Sequence, residues 1–270
     1  MNVKDASLTI GFVTYNPGLA FYERLKWLAD AGYATYVFDN SPETRATRAC
    51  CDSFTNVHYA TAGNNVGLGV GLSVITATAY YDGYPMLLFF DQDTCFTAET
   101  LQFIAGFSGA HPREILEKYV TVVFDARQNA AQQIYQVEDV MLAISSGSLF
   151  MLENFKKIGW HNPRYFVDCV DYEMCLRARN KGYRIGKCSN TPGFDHESEQ
   201  PDRFVSIFNK RLPLRRYAGV RIKDSTSAYL RLIAFTLRRF DWRAAGVMSR
   251  SFLIFLLGQV LSRTVLRKAV

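Results

Sequence analysis

The chain lacks the marks of several common protein classes. Its six cysteines, at 50, 51, 95, 169, 175 and 188, form no CxxC pair. A chain of 270 residues does not need a disulfide framework, so they are expected as reduced, mostly buried thiols. There is no low-complexity tract and no internal repeat. No Gly-Lys-Ser/Thr follows a glycine-rich loop, so a P-loop is excluded. No GxSxG elbow is present and the four histidines are dispersed, which argues against serine hydrolysis at Ser145-Ser146. The N-terminus carries Asp5 early and has no long apolar core, unlike a signal peptide. The longest uninterrupted apolar run near the C-terminus, Phe252–Leu257, is far short of the roughly 18–20 residues that span a bilayer. Neither secretion nor membrane spanning is expected.

Acidic residues are scarce in one region only. Residues 203–270 hold 15 Lys and Arg against Asp224 and Asp241, a net +13. Residues 1–202 hold 16 against 23, a net −7. The basic stretch shows no zinc-finger or RNP-type pattern, so an anionic lipid surface is the expected partner and nucleic acid is not. Its arginines interleave with Tyr229, Leu232, Phe235, Phe252, Phe255 and Leu261, as in basic amphipathic helices that lie in a membrane interface. The alternative is that these helices cover the sheet or form a homodimer.

What is present in the first 90 residues is an alternation of strand and helix. Leu8–Tyr15, Thr35–Phe38, Val57–Ala60 and Met86–Phe90 read as buried strands. Phe21–Ala31 and a small-residue stretch ending near Tyr81 read as helices. This predicts a parallel, doubly wound α/β sheet, in which ligands bind at the carboxyl ends of the strands. Tyr15-Asn16, Asp39-Asn40-Ser41, Asn64-Asn65 and Asp91-Gln92-Asp93 all fall at such ends. Further on, Val120–Phe124, Gln132–Val137 and Arg184–Cys188 read as strands, and Asp171–Arg179 as a helix. A boundary is placed near 202, separating an α/β domain, 1–202, from a basic helical region, 203–270.

Asp91 and Asp93, leaving a buried strand two residues apart, are suited to hold Mg²⁺ or Mn²⁺ against a diphosphate. The structural alternative is a solvated turn whose acids cap the next helix. Asp168 and Asp171, three residues apart, open a helix and offer a general base; carboxylates are also favoured there by the helix dipole. His196, beside Asp195 and Glu197, becomes a metal ligand only if the fold brings it near Asp93. Asn64–Gly69 either brings backbone to a ligand or packs a helix start.

Taken in order, Val13–Pro17, Asp39–Ser41, Asn64–Gly67, Phe90–Thr94, Ser145–Gly147 and Phe166–Arg177 resemble the inverting family 2 glycosyltransferases of GT-A fold. The likeness is to rhamnosyltransferase-like enzymes of bacterial O-antigen and surface-polysaccharide synthesis, and it covers about residues 8–200. It implies a doubly wound, Rossmann-like mixed sheet. It implies that Thr14, Tyr15, Asp39 and Asn65 line the donor pocket, with Asn16, Gly67 and Gln92 beside them. Asp91 would orient the donor, and Asp93 with His196 would hold the metal. Asp171 would be the base, with Asp168 the second choice. The implied donor is dTDP-rhamnose, or a UDP sugar. The implied acceptor is a polyprenyl-diphosphate-linked saccharide at the cytoplasmic face of the inner membrane. One departure is Asp39-Asn40-Ser41-Pro42-Glu43, where many members carry a longer Asp-Asn-Gly-Ser-x-Asp; it bears on nucleotide identity. The competing readings are a non-catalytic nucleotide-sugar or nucleic-acid binding module and a nucleotidyltransferase.

Overall fold

A computed structural model describes residues 8–111, 113–129, 131, 133–194, 203–207 and 210–266. The chain divides into two compact units. One comprises Met1–Phe166 and Val170–Glu197, the other Val167–Cys169 and Ser198–Val270.

The larger unit is built on an eight-stranded sheet. Its first half follows the expected alternation: β1 (Ile10–Thr14), α1 (Leu19–Asp30), β2 (Thr35–Asp39), α2 (Arg45–Cys51), β3 (Val57–Thr61), α3 (Leu68–Tyr81) and β4 (Met86–Asp91). These four strands are parallel, in the order β3-β2-β1-β4. β1, β2 and β4 are buried along almost their whole length, as strands covered on both faces are, whereas β3 at the sheet edge is only partly buried. Leu87, Leu88, Phe89 and Phe90 of β4 are all fully buried, each contributing about 2 kcal/mol of transfer free energy. α1 turns Phe21, Leu25 and Leu28 inward, and Phe21 meets Phe12 edge to face at 5.4 Å. The short helix α2 was not anticipated from the sequence; its Thr47 and Cys51 are buried.

The second half is mixed. α4 (Ala98–Ala110) and the short α5 (Arg113–Leu116) lead to β5 (Tyr119–Phe124), β6 (Glu138–Asp139), β7 (Ser148–Met151), α6 (Leu152–Ile158), α7 (Val170–Asn180) and β8 (Arg184–Cys188). β7 inserts between β4 and β5, antiparallel to both, and β5 pairs parallel with β8. The strand expected at Gln132–Val137 is not formed among the described residues of that segment. Tyr135 adopts φ 62, and its carbonyl accepts a hydrogen bond from the His111 ring at 2.7 Å. That takes up a group a neighbouring strand would need. A two-residue pairing of β6 with β8 closes the sheet instead.

The smaller unit opens with an antiparallel hairpin, β9 (Arg203–Ile207) and β10 (Lys210–Leu214), where the sequence suggested helix alone. Two helices follow, α8 (Gly219–Leu237) and α9 (Trp242–Leu266). They pack through Tyr229 on Phe252 at 5.4 Å and on Phe255 at 6.0 Å. The stretch Trp242–Thr264 is long and apolar enough to cross a membrane by length and composition. The sequence reading excluded this from the length of the longest unbroken apolar run. Isolated Arg and Ser residues interrupt that run without making the whole helix polar.

Candidate active site

Register brings the polar strand ends together. Thr14 is paired with Asp39, Asp39 with Thr61, and Val13 with Asp91. The segments after β1, β2 and β4 therefore leave the same edge of the sheet side by side.

Asp39 is fully buried, and its Oδ1 accepts hydrogen bonds from the Thr14 hydroxyl (3.2 Å), the Ser41 backbone N–H (2.9 Å) and the Ser41 hydroxyl (2.5 Å). The Tyr59 hydroxyl donates to Oδ2 at 3.4 Å. Asn16, in the left-handed region at φ 48, donates its N–H to Ser41 Oγ at 2.7 Å. Asn40, a member of the Asp39-Asn40-Ser41 cluster without an assigned role, ties β2 to the next loop. Its Oδ1 accepts from Val66 N–H and its Nδ2 donates to the Gly67 carbonyl. Asn65 Oδ1 accepts from Gly67 N–H at 3.0 Å, closing an Asx turn.

That loop is filled by protein. Gly67 has φ +90, and a Cβ there would lie 2.6 Å from the Phe166 carbonyl oxygen. Leu68 N–H, at the start of α3, donates to the same oxygen at 2.5 Å. A Cβ on Gly69 would lie 2.6 Å from the Tyr165 carbonyl oxygen. The glycines are thus required by close backbone approach. They seat the 162–166 segment that leads towards α7, so Gly67 packs a helix start against the protein's own chain.

The Asp91-Gln92-Asp93 turn is held by groups other than its carboxylates. Gln92 Oε1 accepts from Tyr15 N–H at 2.8 Å, its Nε2 donates to the Tyr15 carbonyl at 3.2 Å, and Arg24 donates to the Gln92 carbonyl. The helix that follows is capped by Thr97 with Thr100, so neither acid serves as its cap. Asp93 is exposed, and among the described residues its carboxylate has no hydrogen-bonding or ion-pair partner. Asp91 is half-buried. Desolvation, then the negative charges of Asp171 and Asp93, push its pKa up to about 7.

Two serines link this turn to α7. Asp91 N–H donates to Ser146 Oγ at 3.0 Å, and Ser146 shares a 2.8 Å hydrogen bond with Thr94. The Ser145 hydroxyl donates to Asp171 Oδ1. In the sequence this pair reads as an unsupported nucleophile and as part of the family resemblance, with no positioning role. The usable signal was a polar pair and glycine directly before a buried strand, at the same edge of the sheet. Two residues after Asp171, Glu173 is buried and pairs with Arg177. Arg177 also donates to the carbonyls of Ile158, Gly159 and Trp160 at the end of α6. Glu173 therefore anchors a helix–helix junction.

Asp168 is placed differently. It belongs with the smaller unit, where the Ser225 hydroxyl donates to it and Arg221 lies at 3.8 Å. His196 lies outside the described residues. The chain before it is pinned by Thr100 Oγ1, which donates to the Pro192 carbonyl at 2.8 Å, and by Phe194, 5.8 Å from Phe90. Among the described residues no group of three or more His, Cys, Asp or Glu side chains is arranged to hold a metal ion. The Asp91–Asp93 pair thus does not make a complete metal site with its described neighbours.

No family model matches the chain. It is 24% identical over 228 residues to the dTDP-rhamnosyl transferase RfbF of Shigella flexneri, covering 77% of this chain and 76% of that protein. It is similar in structure to S. aureus TarS, with TM-score 0.50 and 17% identity, covering 70% of this chain and 36% of TarS. The similarity extends to TarS 1-349 in complex with UDP-GlcNAc, with TM-score 0.50 and 18% identity, covering 72% of this chain and 60% of that one. The fold is GT-A. Together the similarities support a family 2 glycosyltransferase. The chain spans less than two thirds of the TarS chains it matches, 36% and 60%. Among the described residues, the GT-A unit carries Asp93 and Asp171 within electrostatic reach of Asp91.

Proposed function

We propose that this protein is an inverting glycosyltransferase that moves a sugar from a nucleotide-diphosphate donor to a hydroxyl of a lipid-linked saccharide. The observation that carries the reading is the Asp171 carboxylate, which accepts from Ser145 and raises the pKa of Asp91 at the sheet edge. Transfer to a hydroxyl needs a base, and Asp171 offers a carboxylate at that place.

In this reading Asp171 accepts the proton of the acceptor hydroxyl. The hydroxyl oxygen bonds to the anomeric carbon as the carbon–oxygen bond to the diphosphate breaks. The diphosphate leaves with the electron pair and configuration inverts. Ser145 orients Asp171, and the Tyr15–Gln92 latch fixes the turn that presents Asp91 and Asp93. Thr14, Tyr15, Asn16, Asp39 and Asn65 form the nucleoside side of the pocket, mostly by shaping its loops. Asp168 is second to Asp171 as the base because Ser225 and Arg221 already engage it.

The Asp91–Asp93 pair offers hard oxygen donors of the kind a divalent cation takes. Asp93 and Asp91, with His196, would hold Mg²⁺ or Mn²⁺, which supplies neutralisation of the leaving diphosphate. Similarity to RfbF favours dTDP-rhamnose as donor; UDP-glucose, UDP-galactose or a UDP-N-acetylhexosamine is the second reading. The acceptor is a polyprenyl-diphosphate-linked saccharide in O-antigen or related surface-polysaccharide assembly. The basic charge of residues 203–270 supports a peripheral position on the cytoplasmic face of an anionic membrane in this reading.

The test is a panel of nucleotide sugars in thermal-shift and transfer assays, with and without Mn²⁺ or Mg²⁺. Stabilisation by one donor, followed by transfer to a lipid-linked acceptor with inversion, is expected. No stabilisation by any nucleotide sugar refutes the reading.

A further inference from the structure

We infer that the turn between α8 and α9 is a membrane-insertion element, and that α9 lies in the plane of an anionic lipid surface. The inference rests on the membrane placement proposed above and assigns its residues and mode.

The turn exposes two large aromatics, Phe240 at 75% and Trp242 at 66%, with their rings 6.3 Å apart. Leu237 is exposed beside them. Phe240 stands in the left-handed region at φ 58, where glycine or asparagine is the ordinary choice. The three arginines around it, Arg238, Arg239 and Arg243, are all exposed. The one acid in the turn, Asp241, is turned to capping: its Oδ1 accepts from Ala244 N–H at 3.0 Å. Basic residues flanking exposed aromatics match an anionic headgroup layer over an acyl boundary.

α9 continues the surface. Its inner side is buried through Ala244, Ala245, Met248, Gln259 and Ser262. On its outer side Val247, Leu253, Ile254, Leu257 and Val260 are exposed. At 100° per residue these and Trp242 fall within an arc of about 140°. Arg243 and Arg250 lie within the same arc. A crossing helix would carry Arg250 about 12 Å in from Trp242, deep in hydrocarbon, where arginine is costly. Lying flat, both guanidinium groups reach the headgroups. The packing of α8 along the inner side likewise suits a two-helix element resting on a surface. A second copy as the occupant would bury Arg243 and Arg250 in its centre without any acidic residue exposed nearby on α9 to pair them.

The test is flotation of the full chain with phosphatidylglycerol-containing phosphatidylethanolamine vesicles, beside neutral phosphatidylcholine vesicles. Binding to the anionic vesicles only, with release by alkaline carbonate, is expected. Phe240→Ser with Trp242→Ser weakens partitioning roughly tenfold or more, and so does charge reversal at Arg238, Arg239 and Arg243. Val220→Ser, at another exposed apolar residue, leaves binding unchanged. Brominated lipid quenches emission of the full chain but not the Trp242→Phe component. If the anionic vesicles bind the double-Ser variant as well as they bind the unaltered protein, this inference fails while the membrane placement stands. If the unaltered protein does not float, both fail. Resistance to carbonate makes α9 a crossing helix, and self-association without vesicle binding makes the face a dimer contact; either overturns the inference.

Discussion

The Ser145 hydroxyl donates a hydrogen bond to the Asp171 carboxylate, joining the turn before β7 to the first turn of α7. This contact places a carboxylate of the second half of the chain beside the Asp91–Asp93 turn of the first. The neighbouring Ser146 accepts from the backbone of Asp91, so one dipeptide positions both acids.

Asp171→Asn is expected to lower transfer by about 10²–10⁴-fold while leaving donor binding intact by calorimetry. Asp168→Asn, whose partners lie in the smaller unit, is expected to cost far less. Full activity in Asp171→Asn would remove it as the base. Ser145→Ala should shift the pH profile of transfer rather than abolish it.

His161 is buried with neither ring nitrogen hydrogen-bonded among the described residues, between Phe150 and Phe155. Burial, then the charge of Arg177, pushes its pKa down to about 3. Its folded pKa is below the unfolded value, so stability is present above pH 6.5 and is lost as pH falls towards 3. Between pH 6.5 and 5 the loss is about 2 kcal/mol. His161→Phe should flatten that acid limb in urea titrations; an unchanged limb would contradict the assignment.

Asp91 carries the opposite sign. Its pKa is raised to about 7, so its contribution to stability is present below about pH 4 and is lost as pH rises through 7. In chelator, Asp91→Asn should stabilise the protein at pH 8 by on the order of 1–3 kcal/mol and hardly at all at pH 4. Thermal melts at the two pH values check this.

Gly69→Ala would drive a Cβ to 2.6 Å from the Tyr165 carbonyl oxygen. Backbone cannot give way as a side chain would, so a loss of about 2–4 kcal/mol is expected, read from the urea midpoint. Arg177→Met should cost about 3–5 kcal/mol, because it strands Glu173 as a buried charge. A loss below 1 kcal/mol in the latter would mean that water reaches Glu173.

The strand–helix alternation of the first 90 residues was legible because each element there is long, apolar and ended by turn residues. Boundaries moved by only a few positions, as at β1. The failures have local causes. At 133–137 a left-handed Tyr135 and the His111 contact override strand-forming residues. The helix α2 carries little apolar periodicity, having only Thr47 and Cys51 buried. For α9, counting unbroken runs hid a helix whose overall composition is apolar.

The sequence by itself determined the parallel half-sheet and the placing of polar residues at its strand ends, since both follow from local periodicity. Tertiary structure alone decided what those residues do. It buried Asp39 under the hydroxyls of Thr14 in β1 and Tyr59 in β3, filled the Gly67 loop with Phe166, and set Asp171 close enough to Asp91 to oppose its ionisation. These are contacts between residues far apart in the chain, and only the insertion of β7 between β4 and β5 brings them within reach.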